Sequence, residues 1–355
     1  MICFRATQLR AFPLEAVEMT CCAPRWMVLS ALSLLLWAAP LAAQAPKADS
    51  GSVVLDTFGT WRLFHTLKPP VVDVDGKITP HLRKIAWLDT PTPAAPTDWF
   101  QTAFDDSTWL QSTAFGGCQT PYLANQYLRG RFEVADPTRV RSLTLSLEYR
   151  GGAVVYLNGK ELTRKSLPAG AISDSTLADS YSLEAFVAAS GDLLAEAGTY
   201  IGDGRKASKP DADSQKRIDA RIRSIQDFAI PQAALRKGVN VLAIELVRSP
   251  FHKVVIETSE QAGKKIRRNA FDWETCYLKS VRLSAPTADG LGSAANRPAG
   301  LQVWNNDVLA SDGMVSCGDP CRPLEPIKMV AARNGVYSGK VAVGSAKAIA
   351  GLMAT

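Results

Sequence analysis

The sequence predicts an all-β fold: an antiparallel jelly-roll β-sandwich with a partly helical insertion, followed by an incomplete C-terminal β unit. Three observations predict it. Apolar residues recur with period two, not 3.6, through most of residues 52–284. The alternating runs are short and separated by Gly, Pro and Asn, a pattern of sandwiches more than of α/β folds. One break is Asn158-Gly159, whose residues both tolerate positive φ and so join hairpin strands.

The first element in chain order is a leader. Arg25 supplies a positive flank, residues 27–37 (MVLSALSLLLW) are uniformly uncharged, and small residues follow to Ala43. This pattern predicts a signal peptide over 1–43, cut after Ala43, and a secreted or periplasmic protein. The uncharged run is shorter than the ~20 residues a membrane span needs, so no stable span is expected after cleavage. Glu15 and Glu18 are out of place in a basic leader, which makes Met19 or Met27 an alternative start. A buried helix is the competing structural reading of the same run.

The strands follow. Residues 126–134 (QYLRGRFEV) alternate, and 142–149 (SLTLSLEY) put Leu143, Leu145 and Leu147 on one face. Residues 153–157 and 160–162 flank the Asn-Gly turn, and 239–247 (VNVLAIELV) form a further strand entered through Lys237-Gly238. Shorter strands are expected at Trp61–Leu67, 84–88, 228–230, 254–257 and 278–283. Gly151-Gly152 reads as a hairpin or bulge device. The period fails over 166–223, where helices are expected at 183–189 and at 214–225, the latter placing Ile218, Ile222 and Ile225 on one face. Between them, 198–210 reads as a mobile linker. The domain plan is thus 44–284 for the sandwich, 285–300 for a linker and 301–355 for the start of a second β domain.

Charge excludes one class of partner. Loss of the leader removes Arg5, Arg10 and Arg25 with Glu15 and Glu18, and takes the net charge from +6 to +5. Two segments hold that excess, 205–223 and 264–268, so no basic face spreads over the fold and nucleic acid is not an expected partner. Both segments read as solvated loops. Processing leaves Cys118, Cys276, Cys317 and Cys321, too few for a disulfide scaffold. Cys317 and Cys321 suit one small disulfide loop, and they lack a second pair at zinc spacing.

The most distinctive local motif is Phe104-Asp105-Asp106-Ser107-Thr108-Trp109, preceded by Asp98-Trp99. One of the two aspartates accepts hydrogen bonds from the amides of the following turn while Trp109 packs inward. The sharper reading has Trp99 or Trp109 stacking on a sugar ring, since indole and pyranose faces match. Tyr122 and Trp273 join them as candidate carbohydrate-stacking residues.

Taken with 127–132 (YLRGRF), 152–160 (GAVVYLNGK), Ile230-Pro231 and 235–245 (LRKGVNVLAIE), the motif resembles galactose-binding-domain-like modules. The resemblance covers residues 52–284. It implies a jelly-roll sandwich appended to a secreted glycoside hydrolase, with sugar bound by loops at one end. It also allows a structural calcium, with no ligand assigned to any position. Residues 301–304 (LQVW), 326–334, 338–343 and 349–352 resemble the first strands of a β-rich domain that precedes the catalytic barrel in some large bacterial hydrolases.

Catalysis has weaker support. A glycosidase needs two carboxyl groups about 5 or 6.5–9.5 Å apart across the scissile bond. The candidates Glu133, Glu148, Glu245, Glu257, Asp272 and Glu274 read foremost as surface or turn carboxylates, and no nucleophile motif or metal spacing accompanies His65, His81 or His252. The expected function is therefore an exported carbohydrate-binding accessory module, with no catalytic centre identifiable in this chain and a glycoside hydrolase expected if it is part of a longer protein. Its rivals are the amino-terminal region of an active polysaccharide hydrolase and a protein-docking module.

Overall fold

A computed structural model describes residues 51–81, 92–114, 118, 120–194, 210–261, 273–292, 300–306, 308, 318–321, 326–327, 334–345 and 347–353. Two antiparallel sheets form the body. The first has the order β1 (Ser52–Asp56), β13 (Tyr277–Ala285), β7 (Thr144–Arg150), β10 (Arg223–Ala229). The second runs β5 (Leu110–Ser112), β2 (Trp61–Leu67), β6 (Leu123–Val134), β11 (Gly238–Val247), β8 (Gly152–Leu157), β9 (Lys160–Lys165). From β6 onward the chain passes repeatedly between the two sheets, as the predicted jelly-roll winding requires. Beside the body lie a small sheet, β12 (Phe251–His252), β3 (Val71–Val74) and β4 (Lys77–Pro80), and a two-stranded antiparallel sheet of β14 (Leu301–Asn306) with β15 (Lys340–Ser345).

Period-two alternation produces the core directly. Leu128 and Phe132 of β6 and Leu242, Ile244 and Leu246 of β11 face Leu145 and Leu147 of β7 and Val281 and Leu283 of β13. Each such side chain contributes about 1.5–3 kcal/mol through burial. The opposite face of the six-stranded sheet is covered too. There Tyr127, Val154, Tyr156 and Ala243 pack under Trp99 and Trp109, because residues 95–109 fold over the sheet. Strand β11 is therefore apolar on nearly every residue, as a strand covered on both faces must be.

The Asn-Gly turn is as expected: Asn158 and Gly159 have φ of 53° and 85° and connect β8 to β9. Gly151-Gly152 differs from expectation. It joins β7 to β8, which lie in different sheets, so it is neither a hairpin turn nor a bulge but a crossover. Gly151 has φ 87°, and a Cβ there would collide with the carbonyl oxygens of Val247 and Thr275. Gly151→Ala should cost about 2 kcal/mol, from left-handed strain with steric overlap, measured as a lower urea midpoint. An unchanged midpoint would show that the crossover yields freely.

Three expectations, two of them in the insertion, are corrected. Residues 254–257 were expected as a strand but begin helix α2 (Val254–Gln261), where His252 Nδ1 accepts the Val254 amide and Val255 packs against Phe251 and Trp273. Capping and tertiary packing override the β-branched composition. The later insertion helix, α1 (Ala212–Asp219), starts when Asp211 accepts the Ser214 amide and stops before Ile222. Ile218 packs from α1, whereas Ile225 lies on β10 opposite Leu147 in the main core. Only one 3-10 turn, Leu183–Ala185, forms in the stretch expected to be the first helix.

The third correction concerns the basic segment, expected to be solvated. Arg221 is buried, donating to the Ala185 and Leu194 carbonyls. Arg223 donates to Gly151, Asp179 and Ser180 and lies 4.0 Å over the Tyr181 ring. The leader, the strand at 84–88, the basic run at 264–268 and most of the 198–210 linker lie outside the described residues.

Candidate functional site

The distinctive motif is built as an anchor. Asp105 Oδ1 accepts the Ser107 amide, the expected turn contact. Asp106 has the larger role: its carboxylate, fully buried, pairs with Arg129 and Arg131 of β6. Arg129, also 0% exposed, donates in addition to the carbonyls of Trp99, Gln101 and Phe104. One arginine thus pins the covering segment to the sheet. Burial alone would raise the Asp106 pKa, but Arg131 and Arg129 together hold it below the usual carboxylate value. Arg131 also reaches Asp319 at 3.2 Å, tying residues 318–321 to the sandwich.

The four aromatics expected to stack on sugar are all interior. Trp99, Trp109, Tyr122 and Trp273 are 4%, 6%, 5% and 2% exposed. Trp99 stacks on Trp109 and meets Tyr127 edge-on at 5.0 Å, and Trp109 stacks on Phe64 at 5.2 Å. The Arg221 guanidinium lies 4.4 Å over Trp273, and Phe186 is 5.0 Å away. Trp99 and Trp109 share one cluster, while Trp273 belongs to another beside the insertion. In this conformation none offers a ring face to solvent.

The carboxylates are dispersed. Glu148 faces away from the core on the four-stranded sheet, where Ser280 and Lys279 contact it. Glu245 lies on the outer face of the other sheet, opposite Tyr127. Glu133 is six positions further along the same β6 strand, roughly 20 Å away at strand rise and well beyond a glycosidase pair. Glu257 is on α2, Glu274 lies 3.8 Å from Arg150, and Asp272 is outside the described residues. Glu245 is unusual in itself. It is buried, accepts from Asn125 Nδ2 at 3.2 Å, and burial pushes its pKa to about 7.

Among the described residues no disulfide joins Cys118, Cys276 and Cys321, and Cys317, the expected partner of Cys321, lies outside them. Among the described residues no group of three or more His, Cys, Asp or Glu side chains is arranged to hold a metal, so none is assigned to calcium. No described helix is long and apolar enough to cross a membrane.

An open pocket of ≈ 490 Å³ lies where residues 138–143 meet 230–235, at the end of the sandwich where β7 begins and β10 finishes. Its floor is the top of the core: Val140, Leu143, Ile230 and Leu235. Its rim is Thr138, Arg141, Ser142 and Gln232, all exposed. The walls are held by backbone and amide contacts. Ile230 donates to the Leu143 carbonyl, and Gln232 Nε2 to that of Pro137, both at 2.8 Å. Asn158 Nδ2 donates to the Ala234 carbonyl and to Asn240 Oδ1, and Asn240 bonds both backbone groups of Arg236. Sequence reading had missed this site. Its only local trace is the pair of loops before Thr144 and after Ala229, which no motif brings together.

No family model matches the chain, and no curated protein matches it. Among solved structures it is similar to a calcium-binding mutant of Bacteroides uniformis beta-glucuronidase 2, at 12% identity and a TM-score of 0.29, over 73% of this chain and 20% of that one. A Bifidobacterium dentium beta-glucuronidase gives 12% and 0.27, over 74% and 32%. A glycosyl hydrolase family 2 member from Bacteroides cellulosilyticus gives 8% and 0.24, over 55% and 18%. The chain spans a third or less of their lengths. At these scores the likeness carries no argument about function.

Proposed function

We propose that the chain is an exported carbohydrate-recognition module of galactose-binding-like type, serving a glycoside-hydrolase-related protein. The observation that carries this reading is the pocket at the sandwich end, a mainly polar surface whose hydroxyl, amide and guanidinium groups surround the nearly buried Val140, Leu143, Ile230 and Leu235. A pyranose has the matching chemistry in its ring hydroxyls, which can donate to and accept from the polar rim. Its volume lies in the range of small-ligand sites. The buried aromatics take a supporting part, fixing the sheet and its covering segment rather than touching ligand.

The test is a soluble glycan array probed with the full chain, with and without calcium, beside a Gln232→Trp variant that fills the pocket mouth. Binding that the variant abolishes is the expected result. A blank array under both conditions would sink the reading and favour a protein-docking module. One observation already favours that second reading: the four candidate stacking rings are inside the fold.

A further inference from the structure

We infer that the pocket selects an anionic sugar, a uronate or a sulfated pyranose, with Arg141 as the side chain that determines this specificity; the inference rests on the carbohydrate reading above. Of the eight residues lining the pocket, Arg141 alone is charged. Among the described residues it makes no ion pair or hydrogen bond. Two neighbouring charges are committed elsewhere. Arg139 pairs with Asp289 at 3.4 Å, and Asp136 accepts from the amide and hydroxyl of Thr138. A guanidinium with no carboxylate partner among the described residues, on the rim of a mainly polar pocket, presents a planar two-pronged donor. Carboxylate and sulfate oxygens fit that geometry.

The remaining rim supplies the donors and acceptors a sugar ring needs. Gln232 Nε2 donates to the Pro137 carbonyl, and its Oε1 is an acceptor available to a ring hydroxyl. Ser142, next to Arg141, has φ 50°, a left-handed conformation that a serine rarely adopts. Strained backbone of this kind is concentrated at binding and catalytic sites, and here it lies in the pocket wall, one residue from the proposed determinant.

The experiment is calorimetric titration of the full chain with three oligosaccharides of equal length: a neutral galactan, an oligogalacturonate and a sulfated galactan. At least one acidic oligosaccharide should bind tenfold or more tightly than the neutral one. Arg141→Ala should remove that advantage and Arg141→Lys should keep part of it, whereas Arg139→Ala should leave it in place. Whichever acidic arm binds more tightly identifies the anion. Equal affinity for neutral and acidic sugars, unmoved by Arg141→Ala, overturns this inference and leaves the carbohydrate reading standing. Equal losses in the Arg139 and Arg141 variants mean diffuse charge attraction and overturn it as well. No binding by any of the three overturns both. Unfolding midpoints of the variants, all at exposed positions, confirm that each is folded.

Discussion

Asp106→Ala should destabilise the protein by about 3–5 kcal/mol, the usual cost of removing one partner from a buried ion pair. The reason is what remains behind. Arg129 is fully buried and Arg131 nearly so, and both converge on the single Asp106 carboxylate. Asp319 would still neutralise part of Arg131, whereas Arg129 would lose its ion pair with Asp106. The covering segment, which Arg129 holds through the carbonyls of Trp99, Gln101 and Phe104, should loosen first. Guanidinium unfolding followed by tryptophan fluorescence would read both effects, since Trp99 and Trp109 lie on that segment. If the alanine variant does not fold, Asp106→Asn retains the shape and one acceptor and should show an intermediate loss. A loss under about 1 kcal/mol would place these arginines in water, as for a surface pair. The sign with pH follows from the depressed Asp106 pKa: the ion-pair contribution is present above its ordinary value of 3.8 and is lost as pH falls below it.

Glu245→Gln should act in the opposite sense and stabilise the fold at neutral and alkaline pH. Burial raises the Glu245 pKa from 4.5 to about 7, with Asn125, Tyr127 and Arg164 only partly offsetting it. A folded-state pKa above the unfolded value means that the folded protein holds this proton more tightly. Stability from this group is therefore full below pH 4.5, declines as pH rises towards 7 and stays low above it. A shift of this size corresponds to roughly 3 kcal/mol as an order of magnitude. Glutamine keeps the shape and carries no charge, so its urea stability should be flat across that window and exceed the parent at pH 8. A variant with the parent's slope between pH 5 and 7 would locate the titration in another group.

The fold was legible because its signals are local. Alternation in residues 126–134, 142–149 and 239–247 depends on each strand's own residues, and the Asn158-Gly159 hairpin on two positive φ values. The failures occurred where a local preference met a distant partner. Residues 254–257 have the composition of a strand, yet they form a helix because His252 caps it and Phe251 and Trp273 receive Val255. Arg221 reads as one more charge in a basic run, but the carbonyls that hold it belong to Ala185 and Leu194.

The candidate site was less legible, for the same reason. Periodicity cannot tell whether a tryptophan near a strand meets solvent, because that depends on what folds over it. The motif around Trp99 and Trp109 was read correctly as a turn with an inward ring, while the arginine pairing of Asp106, across 23 and 25 residues, carried no local mark. The pocket needs Leu143 and Ile230, distant in sequence, to be joined by one backbone hydrogen bond.

By itself, then, the sequence determined the winding material of this protein: short alternating strands, their turns, and the apolar faces that must meet in a two-sheet core. Only the tertiary structure decided which faces were covered twice, which charges were buried, and where the surface stays open. Strand formation and turn geometry are short-range effects of backbone sterics and side-chain alternation. Burial and pairing are properties of what the rest of the chain brings against each residue.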